Sequence, residues 1–319
     1  MKHEIKVTIL LLLMFITTQL IGLVVIDAYA PKTAEIAVNG TVTNITVANE
    51  IPYGMQPPEM KKAEISLVNI AVSLIIAVLI FILLMKIKAR SLIKIWFVMV
   101  IFLTISIALT ALLMKLFPES NLRFDTLAVL ISIPLTFYKI FKRNFIAHNF
   151  TELLIYPGMA AVFVPILSVW TTIVLLLIIS VYDMWAVWKS KLMINMAKFQ
   201  IQKLKVFTGF LVPYMQKKDA ARLRNAQKIK TVKARTAKLK KMKIKISLAL
   251  LGGGDVAFPL IFAGVVYRSA GLVPALIIIA GSTISLLLLF MFSRKGKFYP
   301  AMPFITAGCL LGWLATLIL

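Results

Sequence analysis

The chain has 319 residues, 61% of them hydrophobic, and a formal net charge of +24. Soluble domains carry roughly 45–50% apolar residues, so an ordinary water-soluble fold is excluded, and continuous rather than alternating apolar runs exclude a membrane β-barrel. The one cysteine, Cys309, excludes an intrachain disulfide, and His3, His148 and Cys309 are too scattered to ligate a metal, so no metal or cofactor is expected.

In chain order, a short basic start precedes an apolar run at Val7–Ile26. Ala28-Tyr29-Ala30 resembles a signal-peptidase site, but the run is long for a signal core and Pro31 follows, so a retained first span is expected. Pro31–Lys62 is polar and acidic, with sequons at Asn39 and Asn44, and suits an external loop. The spans expected next are Ile65–Met85, Ile95–Phe117, Phe124–Tyr138, Phe145–Leu167 and Val169–Trp188. A basic stretch follows, Lys189–Lys245, holding 18 Lys and Arg and the single acid Asp219. Its first part, Lys191–Phe210, reads as an amphipathic surface helix, and Gln216–Lys245 as a solvated tether. Three more spans are expected at Ile246–Tyr267, Leu272–Phe292 and Phe298–Leu319.

The expected fold is therefore an all-α polytopic membrane protein of nine transmembrane helices. It divides into a six-helix region (1–188), a basic loop (189–245) and a three-helix region (246–319). Thirty of the 36 Lys and Arg fall on one side if the N-terminus and the 189–245 loop are cytosolic and the C-terminus is external. The same bias accounts for the net charge, with anionic lipid headgroups as the partner of the basic loop. Without aromatic residues interleaved in that stretch, no nucleic acid is expected.

Most of the 12 acidic residues lie in loops or at span ends; Glu152, Asp183 and Asp255 are embedded. A carboxylate within a span costs about 2.5–3.5 kcal/mol on insertion scales, which makes it a functional candidate. Asp183 precedes Lys189 by six residues, about 9 Å of helix, and Asp255 follows Lys245 by ten, about 15 Å. The two thus reach similar depths from the cytosolic face on adjacent, antiparallel spans. Two such carboxylates in contact cannot both ionise, so one holds a proton while the other accepts one, and the pair can activate water against a peptide carbonyl. Gly252, Gly253 and Gly254 weaken the helix before Asp255, and Pro259 leaves the Asp255 carbonyl without its helical partner. An unwound, polar patch is expected there. Pro300-Ala301-Met302-Pro303 opens the last span, where free N–H groups and a positive dipole end can face the site. Asn149 and Glu152 are expected to have a structural role, pairing with a lysine or solvating a cavity. Gly308-x-x-x-Gly312 reads as a helix-packing face.

Tyr182-Asp183, Gly252-x-Gly254-Asp255 and Pro300-Ala301-Met302 resemble the YD, GxGD and PAL motifs of the presenilin and signal peptide peptidase family. They fall in the family's order on the sixth, seventh and ninth of nine expected spans. The resemblance implies a presenilin-like bundle and an aspartic endopeptidase cutting inside transmembrane segments, with Asp183 and Asp255 catalytic. It also implies that Tyr182, Gly252, Gly254, Pro300, Ala301 and Met302 shape the site. Met302 stands where the family has leucine, a volume-conserving change. The compact external loop is similar to the microbial, archaeal branch. A cytosolic loop at 189–245 resembles the presenilin orientation and implies single-span substrates with external N-termini, in the cell membrane. The sequence specifies no obligate subunit. Alternatives from other classes are a non-enzymatic ion or proton pathway through the paired acids, and a prepilin-type GxGD peptidase.

Overall fold

The computed structural model describes residues 5–38, 41–47, 51–54, 89–118, 123–142, 144–190, 208–215, 246–293 and 299–318, with scattered positions between 72 and 87. Among the described residues the continuous α-helices are α1 (Ile5–Ala28), α2 (Arg90–Leu116), α3 (Phe124–Phe141), α4 (Phe145–Phe163), α5 (Val169–Trp185), α6 (Gly253–Ala270), α7 (Leu272–Phe292) and α8 (Met302–Thr316). Two antiparallel strand pairs complete the described chain. One joins β1 (Lys32–Val38) to β2 (Thr41–Val47), and the other joins β3 (Gly209–Met215) to β4 (Ile246–Gly252).

Six of the helical segments are long and apolar enough to cross a membrane. Their outer faces carry large apolar side chains such as Leu13, Trp96, Leu130, Val181 and Phe292. An apolar exterior of this extent fits a lipid environment, since soluble monomers rarely expose patches so large. Each expected span but the second overlaps a helix among the described residues. The second, 65–85, lies largely outside the described residues, as do 191–207 and 216–245 of the basic stretch.

Two expectations are corrected here. Residues 246–252 were expected to open the seventh span as helix, yet they form β4, and the helix begins only at Gly253. The expected surface helix over Lys191–Phe210 does not reach its end as helix, because Gly209 and Phe210 open β3. The Pro31–Lys62 loop also holds ordered backbone, the β1–β2 hairpin, with Lys32 opposite Val47.

The hub of the bundle is α6, which packs against α1, α4, α5, α7 and α8. Its apolar residues Val256, Leu260, Phe262 and Ala263 are fully buried, and the same core takes Leu11 and Phe15 of α1, Leu176 of α5 and Ile305 of α8. Helices meet closely where glycine removes a side chain. A Cβ on Gly158 of α4 would run into the Thr104 carbonyl of α2, and one on Gly281 of α7 into the Gly308 carbonyl of α8. The Gly308/Gly312 face is thus a packing seam, as its spacing suggests. At one end of the bundle Asp27 of α1 joins two other helices, accepting from Lys115 of α2 and from the Tyr267 hydroxyl of α6.

Gly158→Ala is expected to force α2 and α4 apart, lowering stability by about 1–3 kcal/mol. A depressed thermal-unfolding midpoint in detergent would show it. Gly254→Ala is the matched control, because its Cβ would meet only the Phe258 ring, at an ordinary 3.4 Å.

Candidate active site

Asp183 lies near the end of α5, which is capped at its start by a reciprocal Ser168–Thr171 box and gives way at its end to a π-turn over Ala186–Ser190. The Asp183 side chain faces inward and is 8% exposed. Its Oδ2 accepts from the Met302 backbone N–H at 3.1 Å, and the Ala301 N–H also bonds to the carboxylate. These N–H groups are free because a helix leaves its first donors without internal partners. The prolines hold that start in place: Pro300 is buried, and Pro303 follows at the second helical position, where no N–H is required. One turn before Asp183, Ser180 donates to Thr306 Oγ1 at 2.8 Å, tying α5 to α8 a second time.

Asp255 stands in the first turn of α6, three residues past the N-cap Gly252. Its carboxylate reaches back and accepts from the Gly252 N–H, the acid half of a capping box. A Cβ on Gly252 would sit 3.0 Å from Asp255 Oδ2, so the absence of a side chain is what leaves room for this return. Asp255 therefore does not interrupt the middle of a helix, as expected; it occupies a strand-to-helix junction. From α1, the buried Gln19 donates to the Val256 carbonyl at 3.0 Å, fixing the first turn from the other side. The two aspartates lie near enough for the charge on one to act on the other. The structure therefore brings together Asp183, Asp255, Gly252, Ala301 and Met302.

Tyr182 does not join them. Its side chain is 46% exposed on the outer face of α5, its ring 6.3 Å from that of Trp185. Adjacent helical residues point about 100° apart, so an inward Asp183 turns Tyr182 out. Gly254 is also exposed and contacts neither carboxylate through its missing side chain.

Other residues near the site carry little signal in the sequence. Tyr156 of α4 is 2% exposed, with its hydroxyl beside Gly253 and within electrostatic reach of Asp255 and Glu152. Its apolar flanks make it resemble core packing, and only its helical spacing from Glu152 hints otherwise. Glu152 is completely buried and pairs with Lys139 of α3 at 2.5 Å, which also donates to Thr151 at 3.2 Å. The structural reading of Glu152, a lysine partner, is what the structure contains.

Comparison with known proteins was informative at two levels. A model of the family described as signal-peptide peptidase, presenilin aspartyl protease matches residues 37–319. A search of curated proteins found no match. Among solved structures, the chain is similar to a presenilin family intramembrane aspartate protease crystallised in space group C222. That likeness has TM-score 0.62 and 19% identity and covers 98% of each chain. A second crystal form described in the same words, in P2, gives TM-score 0.60 at 18% identity, covering 97% of this chain and 96% of that one. The structural likeness establishes the bundle, and the family match spans most of the sequence including both aspartates. The chain belongs to the signal-peptide peptidase and presenilin family, and is a multi-pass aspartic endopeptidase that cleaves membrane proteins within the membrane.

Proposed function

We propose that Asp183 and Asp255 are the catalytic pair, and that the observation carrying this is the junction of two helix starts around them. The α8 start donates N–H groups to Asp183, and the first turn of α6 holds Asp255. Both carboxylates are thereby oriented by backbone groups. One aspartate in its ionised form takes a proton from a water molecule, and the oxygen of that water adds to the scissile carbonyl carbon. The other, protonated, gives its proton to the carbonyl oxygen. The tetrahedral diol then collapses: the now ionised aspartate takes a proton from one diol hydroxyl, the C–N bond breaks, and the other aspartate gives its proton to the leaving nitrogen, restoring the starting pair. Because the two protons titrate as a coupled system, neither residue has a fixed role as acid or base.

The supporting residues divide by mechanism. Gly252 leaves space for the Asp255 carboxylate, and Ala301 and Met302 orient Asp183 through their backbone. Pro300 fixes where α8 begins. Nine spans, with the N-terminus and the 189–245 loop cytosolic and the C-terminus external, remain the topology the basic clusters support. In that frame the three-part division 1–188, 189–245 and 246–319 follows the chain through the cell membrane. The substrates are then single-span proteins with external N-termini, and the basic loop rests on anionic headgroups.

Asp183→Ala and Asp255→Ala, each alone, are expected to reduce cleavage of a transmembrane peptide by about 10²–10⁴-fold or more, with helical content and gel-filtration behaviour unchanged. Appreciable turnover by either variant sinks the assignment. Gly252→Ala should lower kcat by about tenfold or more by displacing the Asp255 carboxylate, with a thermal midpoint near that of the parent. A protease site engineered after Lys218 should be cut only when the enzyme is added from the cytosolic side; cutting from outside inverts the topology.

A further inference from the structure

The second to fourth turns of α4 carry a polar stripe that the aspartate mechanism does not use. Asn149, Glu152 and Tyr156 follow i, i+3, i+7 spacing, which places them on one helix face, and each is 9% exposed or less. A helix surrounded by apolar neighbours does not bury three polar groups in a row without something for them to hold.

Asn149 holds β3, the strand paired with the one that leads into Asp255; Glu152 holds Lys139, and the Tyr156 hydroxyl lies beside Gly253. The Asn149 side-chain amide donates to the Leu211 carbonyl at 2.8 Å and accepts from the Leu211 N–H at 2.9 Å. This reciprocal pair is the one a neighbouring strand would make. Two residues earlier, His148 Nε2 donates to the Gly209 carbonyl at 2.8 Å. Alternation along a strand puts the backbone groups of Gly209, Leu211 and Pro213 on the same edge, away from β4. Pro213 has no N–H to leave unpaired there, which is why a proline is tolerated in β3.

Side chains from α4 thus replace a third strand along one edge of β3, while β4 pairs along the other. The register carries that grip toward the catalytic pair: Leu211 lies opposite Leu250, and Gly209 opposite Gly252. Gly252 is the residue whose N–H the Asp255 carboxylate accepts. Tyr156 closes the arrangement from below, its ring edge-on to Phe210 at 5.9 Å and its hydroxyl where a Cβ on Gly253 would come within 2.9 Å. Lys139, paired with Glu152 and 3.5 Å from His148 Nδ1, keeps that stripe from shifting along the helix.

We propose that His148, Asn149 and Tyr156 are positioning residues for Asp255, acting through β3, β4 and the glycine junction. The proposal rests on the reading of Asp255 as a catalytic residue. It differs from plain packing in one respect: releasing β3 affects turnover more than substrate binding or global stability.

The test uses the full chain in detergent or liposomes with a fluorogenic transmembrane peptide, comparing Asn149→Leu and Tyr156→Phe with the parent. Asn149→Leu preserves volume and removes both bonds to Leu211. It is expected to lose hydrogen-exchange protection across residues 209–215, and kcat is expected to fall about tenfold to a hundredfold while KM stays within about twofold. Tyr156→Phe removes one oxygen, keeps the ring on Phe210, and is expected to lower kcat with an unchanged unfolding midpoint. Parental kcat in both variants, with Asp183→Ala and Asp255→Ala inactive, overturns the inference and leaves the protease assignment standing. Cleavage by either aspartate variant overturns that assignment instead. The exchange measurement still decides the clamp in that case, since unchanged protection at 209–215 in Asn149→Leu refutes it. If Asn149→Leu fails to fold, Tyr156→Phe carries the kinetic test, and an unchanged kcat there is a negative result.

Discussion

The arrangement depends on how an acidic side chain is kept in lipid, and both aspartates meet that demand at the start of a helix. Asp183 accepts N–H donors from the first turn of α8, a helix distant in sequence, and Asp255 accepts from the N-cap of its own helix, α6. Helix N-termini present unpaired N–H groups and a partial positive charge together, so they stabilise a carboxylate through backbone donors. That matters for chemistry. A lysine or arginine beside either aspartate would hold it ionised and remove it as a proton donor, whereas a backbone donor orients the group and leaves it free to exchange its proton.

A contrasting solution is used one helix away. Glu152, fully buried on α4, is matched by the Lys139 ammonium of α3. An ion pair of this kind is strongly destabilising to break from one side, because the remaining charge has no partner. The fold therefore separates its embedded acids by partner: the one facing a lysine anchors α3 to α4, and the two facing backbone donors sit at the convergence of α5, α6 and α8.

Much of this was legible from the chain itself. Apolar runs and basic flanks located the helices, and the aspartates stood out because acids are scarce there. The start of α8 was readable because Pro300 and Pro303 bracket it and prolines are tolerated where helix N–H groups are free. The hairpin was not legible. Leu248-Ala249-Leu250-Leu251 is a short apolar run, which periodicity cannot assign to strand or helix. Its partner, β3, lies across a long basic stretch that dominates the composition. Tyr182 was misplaced for a different reason: a motif gives residue identity, but the 100° step of a helix decides which of two neighbours faces inward. Lys139 reads in the sequence as one more basic flank, since nothing local marks a lysine that turns back onto the next helix.

The β4 segment also changes how the depth of Asp255 should be understood. Seven residues of strand extend roughly 23 Å, against about 10 Å for the same residues in a helix, so helical rise does not measure the distance from Lys245. Position is set instead by pairing. Extended backbone at membrane depth survives only when its polar groups are satisfied by protein, and here β3 and β4 satisfy each other on one side while Asn149 and His148 serve β3 on the other. The glycines at 252–254 then let the chain turn from that pairing into α6 without a side chain obstructing Asp255 or Tyr156. On this account the stretch before Asp255 is a strand paired with β3, which is itself held along its other edge by α4. That pairing sets where the chain enters α6, and so where Asp255 comes within electrostatic reach of Asp183 on a separate helix.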